Sequence, residues 1–192
     1  MNQSSKQRRR QADRNRRQRQ AIAVAGFVAL AVGLAWFFEL QATTTVLLVR
    51  HADKSISGGE DPLLSEQGQQ RAQALADFLG DVDVVASVDA IFASQYRRTQ
   101  QTAAPLAERL ALAVNIADAD DIEGTAAAIL DDHKGQIVLV VGHRNTIPLL
   151  IEEFHGSKQV DIDENDYDHL YIVTVPWFGK VKTLMFRYGG PG

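Results

Sequence analysis

The chain has 192 residues, no cysteine, and 45% hydrophobic and 23% charged residues, a composition that fits one ordinary globular domain and excludes a disulfide scaffold. The formal charge of −4 hides an asymmetry: residues 1–20 hold 8 of the 20 basic groups and one of the 24 acidic groups, which leaves 12 basic against 23 acidic groups, a net of −11, for residues 21–192. Such an acidic body repels polyanions, so no nucleic acid is expected as its partner, and tail and body face different surroundings.

The tail, residues 1–20, carries Lys6, Arg8, Arg9, Arg10, Arg14, Arg16, Arg17 and Arg19 and almost nothing apolar, so it buries no core and is solvated or bound to anions. Ala21 to Phe38 is an 18-residue run without a charge. As a helix it would be about 27 Å long, close to the hydrocarbon thickness of a bilayer, so one transmembrane helix is expected over residues 21–38. A cleaved signal peptide is the rival, with Leu40-Gln41-Ala42 as a weak cleavage site. The run exceeds the usual signal core of about 7–15 residues, and Trp36, Phe37 and Phe38 stand where interfacial aromatics anchor a span, which favours the anchor. Positive charge ahead of the span places the N-terminus in the cytoplasm and the body outside the cell membrane, in the periplasm if the organism has one. The tail's expected partner is anionic lipid, at up to about 1 kcal/mol per cation.

The body, residues 43–192, begins only about four residues after Glu39. Thr43 to Val49 reads as a strand buried on both faces. A loop with Ser57-Gly58-Gly59 and Asp61-Pro62 follows, then a helix over Glu66 to Leu79 with Ser65 as N-cap. Gly68 permits close packing at that helix start. Val88 to Ala93 reads as a strand, Arg98 to Leu110 as a helix, Ala113 to Ile116 as a short extended piece and Thr125 to Asp132 as a helix. Gln136 to Val141 is a further buried-strand pattern, followed by a helix from Ile147 to Phe154 with Pro148 tolerated in its first turn. His169 to Val175 and Lys180 to Phe186 form a terminal strand pair. Strands alternating with helices predict an α/β three-layer sandwich: a mostly parallel sheet, helices on both faces, an antiparallel edge.

In such a sheet ligands bind beyond the carboxyl ends of the strands. One strand here ends in Arg50-His51, another in Gly142-His143, and a third runs into Ser94-Gln95-Tyr96-Arg97-Arg98-Thr99. Two imidazoles and two guanidiniums at one rim oppose a metal cation and suit a dianionic phosphate, which arginine holds through planar, charge-assisted hydrogen bonds. The guanidiniums also disfavour imidazolium, keeping a histidine neutral and nucleophilic.

The segments Leu48-Val49-Arg50-His51-Ala52, Leu64-Ser65-Glu66-Gln67-Gly68, Ala93 to Ala103 and Val140 to Thr146 resemble, in order, the histidine phosphatase superfamily with its phosphoglycerate mutase-like fold. The resemblance implies that His51 is the phosphorylated nucleophile, that Arg50 and Arg98 clamp the phosphoryl group and that His143 donates hydrogen bonds to it. Arg97 becomes a rim or structural residue. The chain departs from the family in having Ala52 where glycine is usual, in Arg144 after the second histidine, and in lacking an unmistakable proton donor. Candidate donors are Asp118, Asp120, Asp121 and Glu123, with Asp53 as an outsider; Ser94 and Arg144 are candidate substrate contacts.

The expected function is metal-independent hydrolysis of a small phosphorylated substrate through phosphohistidine, with no cofactor, and simple hydrolysis rather than a mutase reaction. Two alternatives compete: a metal-dependent hydrolase using His51, Asp53 and His143, motivated by the His-x-Asp spacing, and a non-catalytic phospholigand-binding module, motivated by the missing donor. His133, His155 and His169 are expected to be structural or surface residues.

Overall fold

The computed structural model describes residues 3–39, 43–56, 59–80, 87–156 and 160–188. Leu40-Gln41-Ala42 and Ser57-Gly58 lie outside the described residues. The chain divides into two units, Met1–Gln41 and Ala42–Gly192.

In the first unit, helix α1 runs from Gln3–Glu39 without a break. The straight-chain Gln and Arg residues of the basic block are good helix formers, so the helix continues through it. Within α1, Arg14–Phe37 is long and apolar enough to cross a membrane, with mean hydropathy 2.0 and none of it buried.

The body opens with strand β1, Thr44–Arg50, followed by helix α2, Glu66–Gly80, strand β2, Ala90–Ser94, and helix α3, Arg97–Leu110. Then come β3, Val114–Ala117, α4, Ile122–Asp132, β4, Ile137–Gly142, α5, Thr146–Glu153, and the strands β5, His169–Val175, and β6, Lys182–Arg187. The six strands form one sheet in the order β3-β2-β4-β1-β5-β6. The first four are parallel; β5 runs antiparallel to β1, and β6 to β5.

Successive side chains of a strand point to opposite faces, and β1 uses both. Val46 and Leu48 pack with Ile129 of α4 and with Ile147, Leu150 and Ile151 of α5. Leu47 and Val49 pack with Leu75 and Ala76 of α2 and with Ala103 and Leu106 of α3. The expected three-layer sandwich with an antiparallel edge is therefore present, and β1 is apolar without alternation from Val46 to Val49 because neither face meets water there.

The element ends follow local hydrogen bonds. Ser65 caps α2 as expected, its Oγ accepting from Gly68 N at 3.0 Å. Gly68 is buried against β1's outgoing loop, where a Cβ would overlap the Asp53 carbonyl oxygen. α4 starts three residues earlier than its apolar periodicity suggests, because Asp121 accepts from Gly124 N at 2.9 Å and so serves as N-cap. β2 starts later than Val88 because Asp89 is tied to Ile137 by backbone and side chain, Asp89 N to Ile137 O and Ile137 N to Asp89 Oδ2, both at 2.8 Å.

Candidate active site

Parallel pairing of Arg50 with Gly142, and of Ala93 with Val141, aligns the carboxyl ends of β1, β4 and β2 at one rim. The His51 N–H donates to Gly142 O at 2.9 Å, fixing the exit of β1 against that of β4. The two imidazoles, 92 positions apart in the chain, come to 5.4 Å between ring centroids at an interplanar angle of 63°. Both are buried.

His51 Nδ1 lies 2.8 Å from the Ala52 carbonyl oxygen. A carbonyl only accepts, so Nδ1 carries the proton and Nε2 keeps its lone pair in the neutral ring. Ala52 is itself fully buried beside Leu64 and Ala72, and its N–H donates to Thr102 Oγ1 at 2.9 Å. The methyl group in place of the usual glycine hydrogen is thus taken up by packing between the β1 exit and α2.

His143 Nε2 lies 2.8 Å from Ser94 Oγ, and its Nδ1 lies 3.4 Å from an Arg98 NH2 donor. The guanidinium cannot accept, so in the neutral ring Nδ1 is the acceptor and Nε2–H points at Ser94. Thr99 Oγ1, 2.8 Å from Ser94 Oγ, extends the network and donates onward to backbone carbonyls. Ser94 therefore positions the second imidazole.

The two arginines are held in parallel ways. Arg50 stacks on the Tyr167 ring, its Cζ 4.0 Å from the centroid, and its NH1 donates to the carbonyls of Asp163, Glu164 and Asp166 at 3.1, 2.7 and 3.3 Å. Arg98 stacks on Tyr96 at 4.4 Å and its NH1 lies 3.5 Å from Asp61 Oδ1. Asp61 in turn accepts from the backbone N–H of Arg97 at 3.1 and 3.2 Å. In both arginines Nε is buried without a hydrogen-bond partner among the described residues.

Burial pushes His51 down to about 3, with nearby His143, Arg98 and Arg50 adding repulsion and the Ala52 carbonyl opposing it. Burial likewise pushes His143 down to about 4, reinforced by Arg98 and Arg50 and opposed by Asp61. Desolvation removes the water that stabilises imidazolium, and fixed positive charge acts in the same direction. Both rings are neutral near pH 7.

Of the residues singled out in the sequence, Arg50, His51, Ser94, Arg98 and His143 converge. Arg144 is exposed, and its charge lowers the pKa of Arg50 after the larger effect of burial. The acidic loop stands one strand further out: Asp118 and Asp120 are exposed, and Asp118 Oδ1 accepts from Gln95 Nε2 at 3.2 Å and from Asp120 N at 3.0 Å. Asp121 is occupied as the cap of α4, and Glu123 lies exposed in its first turn. Asp53 is paired with Arg71, Nε to Oδ2 at 2.7 Å, rather than directed to the two histidines.

Three contributors escaped the sequence reading. Tyr96 and Tyr167 serve as platforms for the arginines, and Tyr96 also lies edge-on to His143 at 5.2 Å. Asp61 orients Arg98 from the loop after β1. Only the proximity of Tyr96 to Arg98 in the chain hinted at one of these. His169 is buried near Asp166 and Asp168 at 3.6 and 3.9 Å, and Arg187 spans the same two carboxylates at 3.9 and 3.5 Å. That group buttresses the loop whose carbonyls hold Arg50.

A three-layer sheet with paired imidazoles and guanidiniums at its switch-point rim defines a phosphoglycerate mutase-like α/β domain. The histidine phosphatase superfamily (branch 1) model matches residues 46–120. No curated protein matches the chain significantly. The protein histidine phosphatase SixA, solved with tungstate, is 17% identical, with 74% of this chain and 96% of that chain covered at a TM-score of 0.61. A mycobacterial glucosyl-3-phosphoglycerate phosphatase is 15% identical, with 78% and 100% covered at 0.56. A phosphoserine phosphatase mutant from Entamoeba histolytica, in complex with phosphoserine, is 12% identical, with 70% and 95% covered at 0.53. At such identities the structures show the shared fold. The resemblance to the histidine phosphatase superfamily is thus borne out, by sequence over residues 46–120 and by fold across the body.

Proposed function

We propose that the body is a metal-independent phosphomonoesterase that works through a phosphohistidine at His51, held at a membrane by α1. One observation carries the reading: buried Arg50, His51 and His143 at two strand ends meet Arg98 from the first turn of α3 in a cluster in which both imidazoles are neutral and each arginine has a buried Nε–H with no hydrogen-bond partner among the described residues. Buried donors without partners are unfavourable alone, and a phosphoryl dianion supplies the acceptors they lack.

In the first step His51 Nε2 attacks phosphorus as the bond to the leaving oxygen breaks, and that oxygen takes a proton from water or a carboxylic acid. Arg50 and Arg98 face the charge on the equatorial oxygens. A bound dianion also reverses the repulsion felt by His143, so that ring takes up a proton and donates to the phosphoryl group from the nitrogen now facing Arg98. In the second step water attacks phosphorus, the P–N bond breaks, and neutral His51 is restored with phosphate and a proton released to solvent.

No candidate acid is directed into the cluster by its described contacts, so we infer that favoured substrates have leaving groups needing little protonation. Phosphohistidine, the substrate class in the name of SixA, is one; aryl phosphates are another. The test is hydrolysis of an aryl phosphate by the full chain with chelator present. Undiminished turnover, lost in His51→Ala, together with acid-labile phosphate on wild-type His51, is expected. Turnover retained by His51→Ala would refute the proposal, and turnover abolished by chelator would favour metal-dependent chemistry.

The tethered arrangement, with residues 1–20 cytoplasmic and bound to anionic lipid and the body outside, is supported by the apolar stretch and the charge ahead of it. Because the chain has no cysteine, single cysteines introduced at Ser4 and at exposed Glu153 report on topology. An impermeant maleimide added to intact cells is expected to label Glu153→Cys and spare Ser4→Cys; the reverse pattern overturns the orientation.

A further inference from the structure

The antiparallel pair β5–β6 turns through Pro176-Trp177-Phe178-Gly179-Lys180, at the end of the sheet opposite the four-residue cluster. Thr44, the first residue of β1, pairs with Val175, the last of β5, so this turn emerges beside the point where the chain enters the body. Trp177 is 56% and Phe178 87% exposed. Two large apolar rings at an exposed turn are held out against the hydrophobic effect. Gly179 adopts φ +120, a conformation that side chains rarely take, and it bends the backbone back into β6 beyond the two rings. Lys180 and Lys182 follow on the exposed stem, and Lys134, which borders the same surface next to Asp131, is also exposed.

We infer that this turn is a second, peripheral membrane contact: Trp177 and Phe178 enter the lipid interface, with Lys180 and Lys182 at the level of anionic headgroups. The inference rests on the anchor reading of α1. Chain length argues for lipid as the occupant. Only four residues, 40–43, separate Glu39 from Thr44 in the chain, a connection short enough to keep the start of the body near the membrane once the helix is anchored. Val175, paired with Thr44, and the turn beyond it stand at that same end of the body. A tryptophan and a phenylalanine flanked by lysines are the side chains that partition into that zone.

The consequence concerns the cleft. β1 is seven residues long, so His51 stands about 20 Å up the sheet from the docked end. Docking the turn aims the cluster away from the lipid, toward water-borne phosphorylated substrates.

The chain has two tryptophans, Trp36 in the apolar helix and Trp177 in the turn, so each claim has its own reporter. The full chain is reconstituted into phosphatidylcholine–phosphatidylglycerol vesicles as Trp36→Phe and, separately, as Trp177→Phe. Emission is compared with lipids carrying bromine near the top of the acyl chain and with unbrominated lipids. Quenching of both reporters, with Trp177 emission shifted to shorter wavelength, is expected. Quenching of Trp36 alone leaves the anchor standing and overturns the docked turn. Quenching of Trp177 alone supports the turn and removes the anchor. A shift of Trp177 without bromolipid quenching means that protein, not lipid, covers it, and this too overturns the inference.

Discussion

The neutral imidazole pair makes stability depend on pH in a way that can be worked out. An unfolded histidine titrates near 6.5, whereas burial holds His51 at about 3 and His143 at about 4. Between those values the unfolded chain binds protons that the folded chain does not, so stability falls as the pH falls through 6.5 and continues to fall until each folded pKa is reached. At about pH 5 each ring contributes 1.5 pH units of linkage at about 1.4 kcal/mol per unit, or about 2 kcal/mol, and the pair about 4 kcal/mol as an upper estimate. That is a large share of the roughly 5–15 kcal/mol that holds a domain folded. His51→Gln removes one ring's share, so between about pH 7.5 and pH 5 the variant should lose about 2 kcal/mol less than the parent. Urea unfolding, followed by Trp177 fluorescence in a Trp36→Phe background, measures both curves, and carboxylate titrations common to the two cancel in the difference. Parallel curves, or an NMR titration of His51 centred near 6.5, would refute the claim that this cluster is desolvated and positively flanked.

Arg98→Lys keeps the charge but loses the planar fork and the stacking on Tyr96, and should lower kcat by about 10²–10³-fold in steady-state assays. Tyr167→Phe should behave as the parent, while Tyr167→Leu, which removes the platform under Arg50, should weaken phosphate-analogue binding by about 2–30-fold, the equivalent of a cation–π contact of about 0.5–2 kcal/mol, measured by calorimetry. Gly68→Ala forces a methyl group onto the Asp53 carbonyl and should destabilise the body by about 1–3 kcal/mol in thermal unfolding. Asp53→Asn should lower Tm through loss of the Arg71 pair yet leave hydrolysis near the parental rate; a collapse of turnover would instead revive the metal-dependent reading.

Much of the fold was legible because β1 and β4 are apolar without alternation, and that pattern arises when helices cover both faces. The two histidines and Arg50 were legible for the same reason: each stands just where an apolar strand run stops, which in a parallel sheet is the ligand-binding rim. Tyr167 was not, because its role depends on a loop between α5 and β5 folding back more than a hundred positions onto Arg50, and stacking leaves no periodic trace. Asp61 was hidden by its turn-like neighbourhood, Asp61-Pro62, which reads as loop chemistry. The acidic run at 118–123 offered candidate donors by composition, and the contacts of two of them lie elsewhere: Asp121 caps a helix, and Asp118 accepts from Gln95 and from its own loop.

The same electrostatics bears on the choice of leaving group. Keeping two imidazoles neutral requires burial and nearby positive charge, and a carboxylic acid placed among them would ionise and undo that arrangement, because its anion would favour imidazolium. Asp61, which contacts Arg98 in the cluster, has its oxygens turned to the Arg97 N–H and to Arg98, where it orients a guanidinium rather than offering a proton. On the proposed phosphatase reading, a site organised in this way stabilises charge on the phosphoryl oxygens strongly and charge on the departing atom weakly. On that reading its selectivity is expected to follow the substrate's own chemistry: esters of poor leaving groups meet the full barrier to expulsion, whereas phosphoramidates and aryl esters depart with little assistance.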